Sequence, residues 1–439
     1  AWATPAGSGA LHHPAPEALA ALARAASTTR LVFHNAIYDL VVLARAGCDL
    51  LECAIDDTRV MSVLLDESGA HTLASLSRRY LGATDVLRLP EVLRGADPAH
   101  AAHLLGLKAR VDCERTLQLC QALSMRLAQY APVGRAYADV ERPLVAVLAR
   151  MTLVGLPVDR AALRRAIEAA MTARADRPAL RRLLRWDRDL DSTGRFHPNY
   201  SAWSDPCGAV QMQGARADGD PSLLRFLAPP DGKVLLRVTF PQLALRWMAT
   251  LAACGPLLQA LRTGAPTGGH VAAVLRGAPP ASVIEAWLEA LATGRGPRTV
   301  MRATGLTLRE AKAARASLLE RLPALARWLA DMEEVGARRG WLQAPSGRRR
   351  RFVPRYTARQ AAADLVAMCC HDTTKRVLVR LNQTLPRGAL AGAHRDAIYL
   401  EIVPGDLDGV RARCEEAVRE ATRGLACPAV IDIEPIGGG

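Results

Sequence analysis

Four consecutive arginines, Arg348, Arg349, Arg350 and Arg351, form the densest positive charge in the sequence, within the segment WLQAPSGRRRRFVP. A guanidinium group can bind two phosphate oxygens at once, so an arginine cluster of this kind predicts contact with a nucleic-acid backbone. The chemistry implied is recognition of phosphates. The alternative is a hairpin tip whose charges are solvated and bind nothing.

A second candidate position is the corner at Pro241, inside the stretch GKVLLRVTFPQLALRWMATL. The residues before it, Lys233–Phe240, are apolar and β-branched enough to predict a buried strand, and those after it, Gln242–Leu251, carry apolar residues at helical spacing. Proline begins helices but disrupts their interiors, so Pro241 predicts the junction. A strand-to-helix corner is a common place to present catalytic groups, yet the sequence of this corner and of the first helical turns contains no acid.

A third candidate is Asp39. The segment LVFHNAIYDLVVL predicts a short buried strand followed by a helix, in which Asn35 and Asp39 lie one turn apart and can share a face. This pattern alone does not distinguish a functional acid from one that faces solvent or caps a helix.

The composition favours a polyanionic partner. The chain has 439 residues, enough for about three domains, with 57 Lys plus Arg against 43 Asp plus Glu, a net charge of +14 and a pI near 9.8. Most of the excess is arginine, which suits phosphate contacts, although an Ala- and Arg-rich composition is also typical of a GC-rich genome. The five Phe, seven Tyr and seven Trp residues are few, so contacts to the nucleic-acid backbone would dominate over base stacking.

Ten cysteines are scattered without a CxxC pair, which predicts reduced, buried thiols in a reducing compartment and neither a zinc site nor a disulfide framework. No apolar run approaches the roughly 18 residues that a membrane span needs, and no secretory signal is present. We therefore expect no membrane partner.

The strand-to-helix corner resembles the palm motif of the family A DNA polymerases, the polymerase I group, which reads roughly DYSQIELR. Aligned on the Gln and the Arg, this chain reads TFPQLALR, from Thr239 to Arg246. Thr239 takes the place of the Asp that holds the two catalytic magnesium ions in the family, and Ala244 takes the place of the Glu. The resemblance assigns Arg246 to DNA binding.

The first third of the chain resembles the 3'-5' exonuclease module of the same polymerases. His34, Asn35 and Asp39 match its His-Asn-x-x-x-Asp motif, and the stretches DDT at 56–58 and HTLASLSRRYLG at 71–82 match the segments that follow. The family's first motif, a strand with Asp-x-Glu, would lie before Ala1 and is absent from the sequence.

The third exonuclease motif is Tyr-x-x-x-Asp, in which Asp112 fits but Lys108 stands in the place of the Tyr. The resemblance implies that Asp39 and Asp112 are catalytic carboxylates and ligands of two magnesium ions about 4 Å apart. With the first motif and the Tyr missing, we expect little exonuclease activity.

Further segments keep the order of a polymerase domain. The stretch ERPLVAVLARMTLVGLPVD from Glu141 resembles the segment that joins the exonuclease to the polymerase. The stretch TGRFHP at 193–198 resembles the segment before the palm. This second resemblance assigns Arg195 to DNA binding. The basic residues 160–192 are too few for a full thumb and predict a shortened helical pair; a solvated helix face is the alternative. The arginine segment described above matches the GRrR hairpin of the family.

The positions that bind the incoming triphosphate and the second metal-binding Asp are altered. In the family's fingers helix an Arg, a Lys and an aromatic residue stand where this chain has Ala281, Glu285 and Glu289. Acidic groups would repel a triphosphate. In the family's His-Asp-Glu motif of the palm, Asp396 takes the Asp position, with Arg395 before it and Ala397 after it, so the resemblance assigns Asp396 as a catalytic metal ligand.

We therefore predict an α/β and α+β protein. Residues 1–135 are expected to form an RNase H-like, 3'-5' exonuclease-like domain. Residues 136–439 are expected to form a reduced family A polymerase-like domain with a palm sheet, a reduced thumb at about 160–192, and palm and fingers at 193–439.

Three functions remain open. The first is a DNA-binding, polymerase-derived replication accessory or structural subunit with little or no polymerase or exonuclease catalysis. The second is an active DNA polymerase or 3'-5' exonuclease that uses two Mg²⁺ ions and whose missing parts lie upstream or whose motifs align differently. The third is a scaffold in a larger assembly that does not bind DNA.

The expected partners are a DNA primer–template or single strand, with replication or assembly proteins in addition. Mg²⁺ is expected as a cofactor only if the chain is active. The resemblance implies a cytoplasmic or nucleoid location in a bacterial or phage-encoded system, with an organelle as the alternative.

Overall fold

The first third of the chain carries two small sheets on one long helix. The structure, a computed structural model, describes residues 1–11, 14–84, 94–95, 97–173, 177–213, 221–263, 267–275, 278–352 and 360–436. Its first elements are β1 (Trp2–Thr4), β2 (Gly7–Gly9), α1 (Pro16–Ala26), β3 (Arg30–Phe33), α2 (Ala36–Arg45), β4 (Ala54–Asp57), α3 (Thr58–Leu65), α4 (Leu73–Leu81) and α5 (Pro98–Gln129). Strands β1 and β2 form an antiparallel hairpin, and β3 and β4 pair in parallel.

One buried carboxylate explains how α2 and α3 begin. The pairing of β3 with β4 places Asp57 opposite Phe33. The carboxylate of Asp57 accepts hydrogen bonds from the backbone N–H groups of Asn35 (3.1 Å), Ala36 (2.7 Å) and Arg59 (2.8 Å). N–H groups at helix starts lack partners within the helix and favour a negative charge. Asp57 therefore fixes both helices, and it supports the left-handed backbone of Asn35 (φ 72°).

The middle of the chain joins the two ends of the molecule. It contains α6 (Ala131–Ala136), a π-helical turn (Tyr137–Glu141), α7 (Arg142–Val154), β5 (Leu156–Pro157), α8 (Arg160–Thr172), α9 (Arg177–Asp189), β6 (Arg195–Phe196), β7 (Asn199–Ser201) and β8 (Gln211–Gln213). Helices α8 and α9 form the predicted short basic pair, and Asp159 caps α8 by accepting from the N–H of Ala162 at 2.8 Å.

A four-stranded sheet lies in the C-terminal part. Its order is β12 (Leu390–His394), β13 (Ala397–Ile402), β9 (Val234–Thr239) and β14 (Asp432–Ile436), and all neighbours are antiparallel. The helix that follows β9 is α10 (Leu243–Leu251), as the corner at Pro241 predicts.

The remaining helices cover the sheet and extend beside it. They are α11 (Gly255–Thr263), α12 (Thr267–Val274), α13 (Ala281–Ala292), α14 (Pro297–Thr304), α15 (Leu308–Arg321), α16 (Pro323–Arg339), α17 (Ala361–Thr384) and α18 (Leu407–Ala421). Between α16 and α17 lies a hairpin of β10 (Trp341–Gln343) and β11 (Arg349–Arg351), which confirms the hairpin predicted there. Within the described ranges, no helix is long and apolar enough to cross a membrane.

One hydrophobic core runs through both halves of the chain. It includes Leu40 and Leu119 from the first third, Leu148 from α7, and Val238 and Leu378 from the sheet and α17. Two smaller cores lie between α8 and α9 and under the outer face of the sheet. The RNase H-like class and the boundary at 135/136 stay predictions, since each sheet described in the first third has two strands.

Four buried charged side chains hold the centre of the molecule together. Glu141 accepts hydrogen bonds from Lys375 (2.8 Å), from Trp203 (2.7 Å) and from Arg348, and Arg348 also donates to Asp372 at 3.1 Å. All four charged side chains are 7% exposed or less. Burial alone would lower the pKa of Arg348, but the negative charges of Glu141 and Asp372 raise it overall, so the guanidinium stays charged.

We expect Glu141→Gln to lower the free energy of unfolding by about 3–5 kcal/mol, because two buried cations would share one remaining carboxylate. Urea denaturation followed by circular dichroism measures this. The matched control is Glu416→Gln on α18, whose exposed pair with Arg419 is worth at most about 1 kcal/mol. Equal, small effects of both substitutions would show that the buried cluster does not stabilise the fold.

Candidate active-site positions and nucleic-acid interface

The sheet brings the two predicted palm positions together. Thr239 is the last residue of β9, and Asp396 lies in the tight turn between β12 and β13, where His394 pairs with Ala397. The register of β13 on β9 pairs Ile398 with Val238, so Ala397 comes next beside Thr239. Asp396 is exposed at this end of the sheet.

The turn that carries Asp396 is held by a backbone contact. Arg395 adopts a left-handed conformation (φ 55°), and its N–H donates to the carbonyl of Val210 at 2.7 Å. Residues with side chains rarely adopt this conformation without such support. The position of Asp396 is therefore set by the segment before β9 as well as by its own strands.

Sequence reasoning missed the carboxylate nearest to Thr239 in the sheet. Asp432, the first residue of β14, lies directly opposite Thr239. Opposite residues in an antiparallel pair share a face. The register of β14 on β9 depends on pairing between distant segments, so no local pattern in the sequence placed Asp432 here.

The donor set at this end of the sheet differs from the one that the family resemblance predicts, because Thr239 supplies no carboxylate at the end of β9. The three neighbouring positions supply a methyl group (Ala397), a hydroxyl group (Thr239) and one exposed carboxylate (Asp432), with Asp396 in the turn. Mg²⁺ is bound through carboxylates in near-octahedral geometry. Over the part of the chain that the structure describes, no three His, Cys, Asp or Glu side chains are placed to hold one metal ion.

The fingers positions are occupied by acids with structural roles. Glu285 on α13 accepts a hydrogen bond from the N–H of Gly268 at 2.8 Å, at the start of α12. The negative charge complements the positive end of α12. A Cβ on Gly268 would lie 2.2 Å from the carbonyl oxygen of Ala281, so only glycine permits this close approach. Glu289 is exposed and lies 3.7 Å from Arg295.

In the first third of the chain, Asp112 is already neutralised. The ammonium group of Lys108, one turn earlier on α5, donates to both carboxylate oxygens of Asp112, at 2.8 and 2.7 Å. Lys108 therefore binds the two oxygens that the family resemblance assigns to a metal ion.

Asp39 lies in the first turn of α2, where the charge of Asp57 acts on it. Burial, and then the negative charge of Asp57, raise the pKa of Asp39 to about 6. Burial raises the pKa of the Cys113 thiol, and the charges of Asp112 and Asp39 both add to this shift.

Two of the arginines predicted to bind DNA lie in the interior. Arg348 belongs to the buried cluster with Glu141, and Arg246 on α10 donates to the carbonyl of Pro428; both residues are 3% exposed. Neither guanidinium lies at a surface that a DNA backbone could reach, which corrects the expectation for these two. Arg195 is mostly buried too, and donates to Glu401 at 2.6 Å.

The other three arginines of the run connect the hairpin to the first third of the chain. Arg350 donates to Asp364 on α17 at 3.2 Å and lies 3.5 Å from Glu67. Arg351 lies 3.5 Å from Asp66. Arg349 stacks on the rings of Tyr130 and Trp341, with 4.7 Å to each ring centre. The cluster is thus largely paired within the protein, and its assignment to DNA stays a prediction for Arg349, Arg350 and Arg351.

Exposed cations without a carboxylate partner in the described ranges lie elsewhere. Among them are three on α9 and five on α14 and α15: Arg177, Arg181, Arg182, Arg298, Arg302, Arg309, Lys312 and Arg315. The residues of α9 belong to the basic segment that the sequence identified, whereas those of α14 and α15 were missed. The available signal was the spacing of Arg309, Lys312 and Arg315 along one helix.

We expect Asp39→Asn to stabilise the fold at pH 7.5. Because the folded-state pKa of Asp39 is raised, the folded state binds the proton more tightly than the unfolded state, so stability falls as the pH rises from about 4 to about 6. Removing the charge should gain on the order of 1–3 kcal/mol at pH 7.5 and little at pH 4. Urea denaturation at both pH values measures this, and an equal gain at both would contradict the assignment.

Comparison with known proteins supports the polymerase resemblance. No protein-family model matches the sequence. DNA polymerase I of Rhizobium leguminosarum is 36% identical over 143 residues, which are 30% of this chain and 13% of that protein. DNA polymerase I of Pseudomonas aeruginosa is 35% identical over 135 residues, 29% of this chain and 15% of that protein. The matched stretch therefore spans only 13–15% of the length of these curated relatives.

A solved structure shows the fold over nearly the whole chain. The POL domain of Pol1 from M. smegmatis, in complex with DNA primer-template and dNTP, has a TM-score of 0.74 and covers 96% of this chain and 88% of its own, at 18% identity. An identity this low shows the fold alone. The fold and the partial sequence matches together confirm the resemblance to the family A DNA polymerases that the ordered motifs predict.

Proposed function

We propose that this protein binds DNA with a polymerase I-like fold in which polymerase and exonuclease catalysis is lost or much reduced. The observation that carries the proposal is the end of the central sheet, where Thr239 and Ala397 stand side by side at positions that the family resemblance assigns to metal-binding and catalytic acids. One exposed carboxylate, Asp396, remains in the turn.

The expected loss of rate is large. Phosphoryl transfer with two metal ions depends on both ions to stabilise the attacking and leaving oxygens. Each lost transition-state contact costs about 3–4 kcal/mol, or roughly 10²–10³ in rate. Thr239 offers a neutral oxygen to a hard cation, and Glu285 offers a negative charge, bonded to α12, in place of a cation for the triphosphate. Several such losses together leave little catalysis.

DNA remains the best-supported partner. The net charge is +14, and eight exposed cations on α9, α14 and α15 have no carboxylate partner within the described ranges. A solved relative of the same fold is described in complex with DNA primer-template and dNTP. We propose that α9 contacts the DNA backbone, as a shortened thumb, and that the internally paired arginine run contributes less.

A replication accessory or a structural subunit on DNA is the role that fits a binding protein with reduced chemistry. The curated relatives are bacterial DNA polymerases I, and a bacterial nucleoid location follows as part of the proposal. Further protein partners remain part of it. Mg²⁺ would be required only if catalysis is retained.

The test for chemistry is primer extension and primer degradation on one labelled primer–template, with Mg²⁺ and then Mn²⁺. We expect no product above background with either ion, while a gel-shift assay under the same conditions shows binding. Extension that disappears in both Asp396→Ala and Asp432→Ala would overturn the proposal and show an active palm. Degradation that disappears in Asp39→Ala would show an active exonuclease.

The test for binding is the salt dependence of duplex affinity. Each neutralised phosphate contributes roughly 0.9 to the slope of log affinity against log salt. The double variant Arg181→Glu/Arg182→Glu on α9 should lower affinity at least tenfold and reduce the slope by about 2. The matched control is Arg419→Glu, an exposed arginine that pairs with Glu416 on α18. Weak binding without a salt slope in the unmodified chain would favour the scaffold that does not bind DNA.

A further inference from the structure

Three aromatic and two arginine side chains alternate along the surface where the hairpin of β10 and β11 meets the end of α5. The guanidinium group of Arg126 lies 4.9 Å from the ring centre of Tyr80. That of Arg349 lies 4.7 Å from the ring centres of both Tyr130 and Trp341. Arg126 is in the last turn of α5, four residues before Tyr130, and side chains at this spacing are neighbours on one face. We refer to these five residues as the stacked row.

We propose that the stacked row binds single-stranded DNA, with bases on the aromatic rings and phosphates at the two guanidinium groups. Aromatic rings stack on unpaired bases of any sequence, and arginine contributes both a planar surface and a positive charge. The bases of a duplex are already stacked on each other, so a duplex would offer mainly its backbone to such a surface. The inference rests on the proposed function for DNA as the partner, and it adds a site with a different preference from that of α9.

The rings of the row are exceptions in a chain that buries most of its tryptophan and tyrosine side chains. Five of the seven tryptophans are buried, and the other two are Trp2 and Trp341. Among the tyrosines that the structure describes, Tyr38, Tyr80 and Tyr130 reach the surface, and Tyr130 is 45% exposed. Three of the five partly exposed Trp and Tyr side chains in the described ranges therefore lie in one row, where an unpaired base can reach them.

The segments that carry most of the row contain no acidic residue. The sequence has no Asp or Glu from 115 to 138, around the end of α5, and none from 335 to 363, around the hairpin. Within the part of the chain that the structure describes, Arg126 and Arg349 contact aromatic rings and no carboxylate. Arg349 also donates to the amide oxygen of Gln343 at 3.1 Å. Both guanidinium groups thus keep a positive charge that a phosphate can neutralise.

The row is held in place by contacts that fix the hairpin against the segment after α5. A Cβ on Gly347, in the turn of the hairpin, would collide with the carbonyl oxygen of Pro132, and the φ of Gly347 is 99°. Only glycine permits both this approach and this conformation without strain. The next residue, Arg348, belongs to the buried cluster with Glu141. Because the hairpin is anchored in the free protein, a strand that binds the row does not have to order it first.

The row lies apart from the positions that the family resemblance assigns to the exonuclease. Asp112 and Arg126 are both on α5, about 21 Å apart along the helix axis at about 1.5 Å per residue. Arg350 and Arg351 of the hairpin reach carboxylates in the first third of the chain and are not part of the row. Binding to the row therefore needs neither the exonuclease-like positions nor the paired arginines of the hairpin.

The first test is fluorescence anisotropy of the full chain with two labelled strands of about 12 nucleotides, an oligothymidylate and an abasic strand. The abasic strand keeps the phosphates and lacks the bases. We expect the abasic strand to bind at least about fivefold more weakly, because base–aromatic stacking is lost. This comparison uses the unmodified chain, so it does not depend on whether a variant folds. Equal affinity for the two strands would overturn the inference.

The second test uses variants whose fold is checked by circular dichroism. Trp341→Ala should lower the affinity for the oligothymidylate at least about fivefold and leave its salt dependence unchanged, because it removes a ring and no charge. Trp341→Phe keeps a ring and should retain most of the affinity. Arg126→Gln should reduce the slope of log affinity against log salt by about 0.7, the contribution of one phosphate of a single strand.

The matched control is Trp2→Ala in β1, which removes a tryptophan that is 48% exposed and lies outside the row. We expect it to leave the affinity for the oligothymidylate unchanged. A folded Trp341→Ala variant with the affinity of the unmodified chain would overturn the inference. The contacts between arginines and rings would then serve only to pack the hairpin against α5.

Failure of this inference and failure of the proposed function give different results. Duplex binding that depends on Arg181 and Arg182, with single-strand binding that depends neither on bases nor on Trp341, would contradict only this inference. Single-strand binding that depends on Trp341, in a chain that extends primers, would contradict only the proposed function.

Discussion

The buried cluster of Glu141, Arg348, Asp372 and Lys375 is the constraint on which the rest of the structure depends. It joins the π-helical turn to the hairpin and α17, which come more than 200 residues later in the sequence. Each of the four charges in this water-excluded interior needs its partners. Removing one of them leaves an uncompensated buried charge, which strongly lowers the free energy of unfolding. The hairpin is therefore fixed at its turn, where Arg348 lies, and Arg350 and Arg351 of its second strand reach Glu67 and Asp66 in the first third of the chain.

The same pattern recurs at three positions where the family resemblance predicts a bound phosphate or metal ion. Asp112 binds Lys108, Glu285 binds the start of α12, and Arg195 binds Glu401. Each of these charges meets an opposite charge or a helix end supplied by the protein itself. A charged group that already binds an opposite charge or a helix end inside the protein gains little free energy from binding a ligand. Contacts that stabilise the free protein at such positions therefore oppose the binding of a substrate or metal ion. The exposed, unpaired cations on α9, α14 and α15 have no such internal partner within the described ranges.

The sequence was sufficient for the elements and for their order. The corner at Pro241 predicted β9 and α10, because this signal is local. The family resemblance placed Thr239 and Asp396 at one end of a sheet, as the register shows. Burial of Arg348 could not be predicted from the sequence, because an arginine in a basic run has the same local sequence whether it binds a phosphate or a carboxylate far along the chain. The partner of Arg246, the carbonyl of Pro428, is equally distant in the sequence. Asp432 was missed for a related reason: a partner across a sheet depends on the register, which non-local pairing sets.

The continuous core has a consequence for how such a protein can change over evolutionary time. Modules that fold separately can be lost one at a time, because each leaves the other intact. Here Leu40 and Leu119 share one packed interior with Val238 and Leu378. Deleting the first third would expose the apolar side of the palm-like half to water. Substitutions at the surface could not restore the stability that burial of this apolar area provides. A lineage with this architecture can therefore exchange individual surface side chains far more readily than it can lose the first third of the chain.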